Sequence, residues 1–499
     1  MLTPQQFLLE SFKKNSSRNA IKVKNKYYSY KKLLNLANNL IHFLRKKNSR
    51  IVSVIEEKNI LCYGSILSIF LDNKIFVPLN NKFSDKKNLD ILISANVDTI
   101  LCGSKYYKKI VELSKKVSKK LNIILLKENI FLKNNLNKIE NYFNSQLNDI
   151  TYILFTSGST GNPKGVPISN MNLSTYIKNL KMRYKFKKSD KFSNNFDITF
   201  DLFLHDIFLC WSHGGCLYIP EKSDFFNPAL YIKKNKLTCW FSVPSLGNNM
   251  LRLRQLKKNN FPSLKYSAFC GEALTEAVAH SWNLSASNSI IENLYGPTEA
   301  TLAITGYRWK GNKSLKECVN GIVPIGKVFK NHRILKSKYN VFELMLSGNQ
   351  VFSGYLKDKI RNTEKLLNIN GIKYYKTGDF VKIKNGNLHY CGRHDRQIKI
   401  NGFRIELQEI ENIIKKKFKL NEVVVIGWPK LNFNTYESLI AFIKTKKDIN
   451  SEKMIKKLSN SLSFNQIPKR LIGLKNFKYN INGKIDYNYF LEYLKNENY

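Results

Sequence analysis

A chain of 499 residues is too long for one ordinary hydrophobic core, so we expect a large domain and at least one smaller one. The composition, 43% hydrophobic, 12% aromatic and 24% charged, is that of a globular protein and excludes disorder as a global state. The formal charge of +45 could suit nucleic acid, an anionic membrane or an acidic protein partner. Because the lysines are scattered and no zinc-finger or RRM motif accompanies them, we expect a solvated basic surface and no nucleic-acid partner.

The eight cysteines are far apart in the sequence and form no CxxC pair, so we expect reduced thiols. The first residues lack the basic-then-apolar order of a signal peptide, and no window holds about 18 uninterrupted apolar residues. We therefore expect a cytoplasmic protein without membrane insertion, and a monomer.

Helical and strand-like patterns alternate from the start of the chain. Residues 30–44 and 60–71 have helical spacing of apolar side chains, whereas residues 51–55, 76–79 and 99–102 are short apolar runs typical of buried strands. This alternation predicts an α/β fold with parallel sheets.

The second half of the chain changes pattern twice. From residue 341 short strands are separated by Gly/Asn turns, and after Gly392 a charged segment leads into a strand, an amphipathic helix over residues 407–418 and a strand over residues 422–427. We place the boundary near Asp395. Residues 1–394 are predicted to form a large N-terminal domain of layered β-sheets and helices, and residues 395–499 a small mobile α+β C-terminal domain.

The segment from Thr156 to Gly165 follows an apolar strand and holds four hydroxyls, three glycines and Lys164. Glycines let backbone N–H groups converge on phosphate oxygens, hydroxyls donate further hydrogen bonds, and the lysine adds a mobile charge. The spacing is not that of a Walker A loop. The alternative is a flexible Ser/Gly linker, against which the preceding strand and the terminal Pro-Lys-Gly argue.

This segment, Phe-Thr-Ser-Gly-Ser-Thr-Gly-Asn-Pro-Lys-Gly, resembles the signature of the adenylate-forming superfamily of acyl-CoA synthetases, luciferases and nonribosomal peptide synthetase adenylation domains. Further family motifs follow in the expected order, so the resemblance extends from about Tyr28 to Asp486. It implies coupling of a carboxylic acid to AMP, with ATP and Mg²⁺ as cofactors. The implied phosphate-binding residues are Thr156, Ser157, Gly158, Ser159, Thr160 and Lys164.

The loop over residues 293–301 puts an aromatic ring, a Gly-Pro turn, a hydroxyl and a carboxylate close together. Tyr295 offers a face for adenine, Thr298 a hydrogen bond to the α-phosphate, and Glu299 a hard oxygen ligand for Mg²⁺. The alternative is an ordinary polar turn with a buried tyrosine. The resemblance adds nucleotide contacts from Asn293, Gly296, Gly271, Glu272 and Ala273.

Three later motifs complete the implied nucleotide site. Tyr-Lys-Thr-Gly-Asp379 resembles the motif whose aspartate binds both ribose hydroxyls. Arg393 is expected to face the nucleotide, and Asp395 to be the pivot of the hinge. Lys484 resembles the lysine that neutralises charge as the carboxylate attacks and pyrophosphate leaves. The catalytic residues implied are Lys484, Thr298 and Glu299.

Residues 196–208 carry three aspartates in an apolar setting, where a carboxylate needs a partner such as a substrate ammonium. Phe200 and Asp201 resemble the Phe-Asp-x-Ser motif of amino-acid-activating members, with Phe203 in place of the serine. Asp197 is the alternative residue and helix capping the alternative role. The implied substrate pocket is Asp201, Leu202, His205, Ser242, Ala268, Cys270, Leu294, Leu302, Ala303 and Lys484, which suits a small uncharged amino acid.

Cys270, within Phe-Cys-Gly-Glu-Ala-Leu, resembles the D-alanine–carrier protein ligases in particular. We therefore expect adenylation of a small amino acid such as D-alanine, then transfer to the phosphopantetheine thiol of a separate carrier protein, since the sequence stops at Tyr499 shortly after Lys484. The alternatives are an acyl- or aryl-CoA ligase, a non-catalytic nucleotide-binding relative and a basic nucleic-acid-binding protein.

Overall fold

The computed structural model describes residues 1–127, 145–156, 163–393, 395–432, 434–479 and 485–497. Its architecture is α/β, as predicted. Among these residues, no helix combines the length and apolar character needed to cross a membrane.

The first part of the chain alternates helices and strands where the sequence pattern predicts them. Strands β6, β5, β3, β4 and β7 are parallel neighbours in a six-stranded sheet that β8 completes. The elements in chain order are α1 (Pro4–Lys14), β1 (Asn19–Val23), β2 (Lys26–Ser29), α2 (Tyr30–Lys46), β3 (Ile51–Ile55), α3 (Ile60–Leu71), β4 (Ile75–Pro78), α4 (Asp85–Ser94), β5 (Thr99–Gly103), α5 (Tyr107–Ser114), β6 (Asn122–Leu126), β7 (Ile150–Thr156), β8 (Lys164–Ser169) and α6 (Asn170–Arg183).

The next elements complete a nine-stranded sheet around a parallel centre. They are β9 (Lys191–Ser193), α7 (Asp201–Ser212), β10 (Cys216–Ile219), α8 (Pro228–Asn235), β11 (Cys239–Ser242), α9 (Pro244–Arg252), β12 (Tyr266–Phe269), α10 (Glu276–Ser285), β13 (Ile290–Tyr295), β14 (Thr305–Arg308), α11 (Asn312–Leu315) and β15 (Lys327–Val328). The strand order is β15-β14-β13-β12-β11-β9-β10-β1-β2. Strands β1 and β9 to β13 run parallel, so the loops that follow them leave one edge of the sheet.

Two further sheets follow, each of five strands. The first has the order β16-β17-β19-β18, with β20 paired to β19, and its elements are β16 (Arg333–Ile334), β17 (Val341–Ser347), α12 (Lys359–Lys365), β18 (Leu366–Ile369), β19 (Ile372–Lys384) and β20 (Asn387–Arg393). The second has the order β22-β21-β24-β23, with β25 paired to β24. Its elements are β21 (Gln397–Ile400), β22 (Phe403–Glu406), α13 (Leu407–Phe418), β23 (Val423–Asn432), β24 (Thr435–Lys444), α14 (Ser451–Leu458), β25 (Arg470–Leu474) and α15 (Tyr487–Asn496).

Contacts divide the chain into two compact units. The first is Met1–Asn80, Leu92–Phe155 and Gly165–Cys391, and the second is Asn81–Ile91, Thr156–Lys164 and Gly392–Tyr499. The assignment of residues 1–394 and 395–499 as two domains joined by a hinge stays a prediction.

Helix α7 is a core helix of the first unit. Every residue from Asp201 to Trp211 is buried, including the polar residues Asp201, His205 and Asp206. Trp211 packs edge-on against Phe12 of α1 and Tyr63 of α3, which fixes helix α7 against these two helices. A helix immobilised in this way holds the side chain of its first residue, Asp201, in a defined place.

Candidate active site

The candidate site lies at the carboxyl edge of the nine-stranded sheet. Asn194 follows β9, Ser242 ends β11, Cys270 follows β12 and Tyr295 ends β13. These strands are parallel and adjacent, so the residues predicted for substrate and nucleotide binding leave neighbouring strands at the same edge.

The loop after β13 turns sharply because Gly296 has no side chain. A Cβ at this position would lie 2.6 Å from the carbonyl oxygen of Leu302, far inside van der Waals contact. Thr301 and Leu302 adopt φ values of 58° and 71°, a region that costs free energy for residues other than glycine. The turn therefore depends on support from its surroundings.

Gln350 supplies that support. Its buried Nε2 donates to the carbonyl of Ala303 at 2.7 Å and more weakly to those of Ala300 and Thr301, while the Thr301 hydroxyl donates to the Gln350 carbonyl at 2.6 Å. Sequence reasoning missed Gln350, because a glutamine inside a Gly/Asn turn region gives no sign of contacts so distant in the chain.

Glu299 is fully buried in this loop. Its Oε1 accepts a hydrogen bond from the hydroxyl of Tyr355 at 2.7 Å, and its carbonyl accepts one from the backbone N–H of Phe352 at 2.8 Å. The N–H of Leu356 donates to the carbonyl of Gly165 at 2.9 Å. The segment from Phe352 to Leu356 thus connects Glu299 with the end of the predicted phosphate loop. Sequence reasoning missed Tyr355 as well, although the Gly-Tyr pair at 354–355 was a visible signal.

Asp201 lies beside this loop. Its Oδ1 accepts from the N–H of Leu202 at 2.8 Å, and the side chain of Thr298 lies close to its carboxylate. Burial raises the pKa of Asp201 to about 6 against the lowering effect of Thr298 and of the backbone N–H of Leu202, and the nearby charge of Glu299 raises it further. The structure therefore brings Asp201 close to Thr298 and Glu299, although the sequence places Asp201 in a different motif from the other two.

The alternative carboxylate, Asp197, accepts hydrogen bonds from other groups of the protein. Its Oδ1 accepts from Asn80 Nδ2 at 2.9 Å, from the Thr199 N–H at 3.0 Å and from the Thr199 hydroxyl at 2.7 Å. A carboxylate oxygen with three donors is poorly placed to bind a substrate ammonium. This arrangement favours Asp201 over Asp197.

His205, another residue of the predicted pocket, is buried and uncharged. Burial lowers its pKa to about 3, so the imidazole is neutral at physiological pH. Its Nδ1 is hydrogen-bonded to the hydroxyl of Tyr176, and its ring stacks on Phe241 at a centroid distance of 3.9 Å. His205 consequently cannot select an acidic substrate by charge.

The remaining residues predicted for the pocket, apart from Lys484, are all buried. Ser242 makes hydrogen bonds inside the protein, since its hydroxyl accepts from Trp240 Nε1 at 3.0 Å and its carbonyl from the N–H of Cys270 at 3.2 Å. The others belong to one hydrophobic cluster, comprising Leu202, Ala268, Cys270, Leu294, Leu302 and Ala303. Their small and aliphatic side chains are compatible with a small uncharged substrate.

On the nucleotide side, the hydroxyl of Tyr295 donates to Oδ2 of Asp379. The predicted adenine-binding and ribose-binding motifs therefore meet in space. The carboxylate of Glu272, between Gly271 and Ala273, accepts from the N–H of Ser245 at 2.8 Å and so caps helix α9.

Asn293 faces inward, where its Nδ2 donates to the carbonyl of Pro324 at 2.9 Å. Glu272 and Asn293 thus have structural contacts of their own, and their roles in nucleotide binding stay predictions.

Several predicted residues cannot be placed. Ser157, Gly158, Ser159, Thr160 and Lys484 lie outside the described residues. At the end of β7, the buried hydroxyl of Thr156 has no hydrogen-bond partner in the described part of the chain, which is consistent with a role towards a ligand.

In the second unit, Lys164 forms a nearly buried ion pair with Glu406 at 3.4 Å. Arg393 binds Asp395 through two hydrogen bonds of 2.7 Å. Burial would raise the pKa of Asp395, but the hydrogen bonds and charge of Arg393 lower it below its usual value. The predicted roles of Arg393 towards nucleotide and of Asp395 as hinge are not tested by these contacts.

The described residues contain no group of three or more His, Cys, Asp or Glu side chains that could hold a metal ion by themselves. Mg²⁺ commonly binds through only one or two carboxylates, with substrate phosphates and water as its other ligands. One buried carboxylate, Glu299, in the same loop as Thr298, the residue predicted to bind the α-phosphate, fits that mode.

Comparison with known proteins decides the family. The model of the AMP-binding enzyme family matches residues 8–356. The chain belongs to this family. It is an AMP-forming ligase, and ATP use is implied by the family. The prediction made from the phosphate loop is confirmed at this level.

Individual members of the family are similar over most of the chain. A D-alanine–D-alanyl carrier protein ligase of Staphylococcus haemolyticus is 28% identical over 95% of both chains. The protein of that name from Bacillus licheniformis is 33% identical over 68% of this chain and 70% of its own. Among solved structures, the Vibrio cholerae adenylation domain AlmE in complex with glycyl-adenosine-5'-phosphate has a TM-score of 0.88 and 26% identity, covering 99% of this chain and 98% of its own.

Proposed function

We propose that this protein activates a small amino acid with ATP and transfers it to the phosphopantetheine thiol of a separate carrier protein. The observation that carries the proposal is the position of Asp201, a buried carboxylate close to Thr298 and Glu299. An amino acid presents an ammonium and a carboxylate on one carbon, so a substrate held at Asp201 has its carboxylate next to the nucleotide loop.

In the first step, a carboxylate oxygen of the substrate attacks the α-phosphorus of ATP. The bond from that phosphorus to the bridging oxygen breaks, and pyrophosphate leaves. Asp201 binds the ammonium, Thr298 donates to the α-phosphate, and Asp379, oriented by Tyr295, binds the ribose. Lys484 and the phosphate loop stabilise the developing negative charge. Mg²⁺, held through Glu299, supplies charge neutralisation when bound.

In the second step, the thiolate of the carrier attacks the acyl carbon and AMP leaves, which forms a thioester. The relatives named as D-alanyl carrier protein ligases support a carrier as the acceptor. The high positive charge of the chain suits an acidic partner.

The substrate pocket supports glycine and D-alanine as the leading candidates. Its lining is small, aliphatic and uncharged apart from Asp201, because His205 is neutral. The names of the relatives point to D-alanine, and the glycyl adenylate bound to AlmE points to glycine. Of these two we propose D-alanine, because Cys270 matches the ligase branch that uses it.

ATP–pyrophosphate exchange with glycine, D-alanine, L-alanine, L-serine, octanoate and benzoate tests the proposal. We expect exchange with small amino acids, strongest with D-alanine, and none with octanoate or benzoate. Exchange that depends on an acid without an amino group would instead identify a CoA-ligase-like enzyme. A poor rate with D-alanine and a high one with glycine would overturn only the choice of substrate.

A further inference from the structure

The segment from Asn194 to Phe200 connects β9 to α7 and has no regular secondary structure. Its path determines where α7 begins, and therefore where the carboxylate of Asp201 lies. A loop at the edge of a sheet needs outside contacts to hold such a position. Those contacts come from residues that follow strands β3 and β4 of the six-stranded sheet. None of the residues predicted to bind the substrate lies in that sheet.

Lys58, in the turn between β3 and α3, holds the start of this segment. Its Nζ donates to the carbonyl of Phe196 at 3.0 Å and also to the carbonyl of Asn194. Burial of the amine lowers the pKa of Lys58 to about 8, against the opposing effect of the carboxyl groups of Asp197 and Asp206 that face it. Because the amine is withdrawn from water, its hydrogen bonds to these two carbonyls hold the backbone of the segment in place.

Asn80, after β4, holds the middle of the segment through its 2.9 Å hydrogen bond to Oδ1 of Asp197. The same oxygen accepts from Thr199, and the N–H of Phe200 donates to the carbonyl of Asp197. Asn80, Asp197 and Thr199 therefore form a continuous chain of hydrogen bonds that ends two residues before Asp201.

Asn194 joins the segment to helix α7 itself. It is fully buried, and its Nδ2 donates to the carbonyl of Phe203 and to Oδ2 of Asp206, each at 3.2 Å, while its Oδ1 accepts from the Tyr63 hydroxyl at 2.6 Å. The contacts of Lys58 thus act on a unit that is rigidly coupled to the first turns of α7.

We infer that Lys58 is a positioning residue for substrate recognition, which with Asn80 sets the location of the Asp201 carboxylate without touching the substrate. The inference rests on the proposed function. Removing Lys58 frees the segment locally, whereas the buried apolar face of α7 still holds the fold. The effect therefore falls on binding of the amino group and spares ATP binding.

The test is Lys58→Met, which keeps the length and apolar stem of the side chain. Lys105→Met is the matched control, because Lys105 is exposed and pairs only at the surface with Glu57, the neighbour of Lys58. In ATP–pyrophosphate exchange, we expect Lys58→Met to raise the KM for the amino acid at least tenfold and to leave the KM for ATP within twofold. Lys105→Met should match the wild type in both.

Asn80→Ala is a second test, to be used if Lys58→Met does not fold. We expect it to raise the KM for the amino acid about threefold. The inference is overturned if the folded variants keep the wild-type KM for the amino acid, or if both KM values rise together. Wild-type exchange separates the two proposals. If the wild type prefers an acid without an amino group, the proposed function fails and this inference with it, whereas unchanged variants of an amino-acid-activating enzyme overturn the inference alone.

Discussion

The side chain of Thr298 lies close to the carboxylate of Asp201 and lowers its pKa, so the nucleotide loop and the first residue of helix α7 are near each other. The group expected to bind the substrate ammonium therefore lies near the group expected to bind the α-phosphate. Under the proposed function, this spacing suits a small α-amino acid, and it leads to the first two predictions.

Replacing Asp201 by Asn removes the negative charge and keeps the shape of the side chain. We expect the KM for the amino acid in ATP–pyrophosphate exchange to rise about 100-fold, which corresponds to about 2.8 kcal/mol of binding free energy. That loss lies within the range of about 2–5 kcal/mol found when one partner of a buried charge pair is truncated. Asp448→Asn, at an exposed carboxylate, is the control and should behave as the wild type. A small change in KM would show that Asp201 does not bind the substrate.

The raised pKa of Asp201 predicts a specific pH dependence. A carboxyl group with a pKa of about 6 is ionised at pH 7 and largely protonated at pH 5, where it no longer attracts an ammonium. Between pH 7 and pH 5 the ionised fraction of such a group falls about tenfold. The KM for the amino acid should therefore rise about tenfold over the same range. Asp201→Asn should lack this rise. A wild-type profile that is flat from pH 5 to 7 would contradict the prediction.

Sequence patterns predicted the elements that depend on local periodicity. Helix α13 and strand β3 have the predicted bounds, because an amphipathic repeat and a β-branched run each determine a local conformation. The fold class and the family follow from such elements together with one phosphate loop.

The sequence could not give the contacts that arrange the site. Gln350 with Ala303, Tyr355 with Glu299, and Lys58 with Phe196 are pairs far apart in the chain. No spacing rule links their residues, since the contacts exist only after separate sheets have packed together. Lys58 was also hidden among 82 lysines and arginines, most of them scattered over a basic sequence.

Tyr355→Phe tests the hydrogen bond to Glu299. The change removes only the hydroxyl that donates to a buried carboxylate, a type of bond worth about 1.5–3 kcal/mol. A less restrained Glu299 should lower kcat of exchange about tenfold and raise the Mg²⁺ concentration needed for half-maximal rate. Tyr339→Phe, at an exposed tyrosine, is the control. Unchanged kcat and Mg²⁺ dependence in Tyr355→Phe would show that this hydroxyl does not orient Glu299 for catalysis.

Gln350→Leu tests whether the strained turn after β13 needs its buried amide. The change leaves the carbonyls of Ala300, Thr301 and Ala303 without their side-chain donor, and unsatisfied buried groups cost about 1–3 kcal/mol each. Because Thr301 and Leu302 already adopt positive φ values, the turn should relax away from its present path. Three such groups cost at least about 3 kcal/mol together, so at roughly 2 °C per kcal/mol we expect a melting temperature lower by at least about 6 °C. We also expect a higher KM for the amino acid, since Leu302 and Ala303 belong to the predicted pocket. Gln408→Leu, at an exposed glutamine, should change neither. A lower melting temperature with an unchanged KM would mean that Gln350 stabilises the fold while the substrate pocket does not depend on this turn.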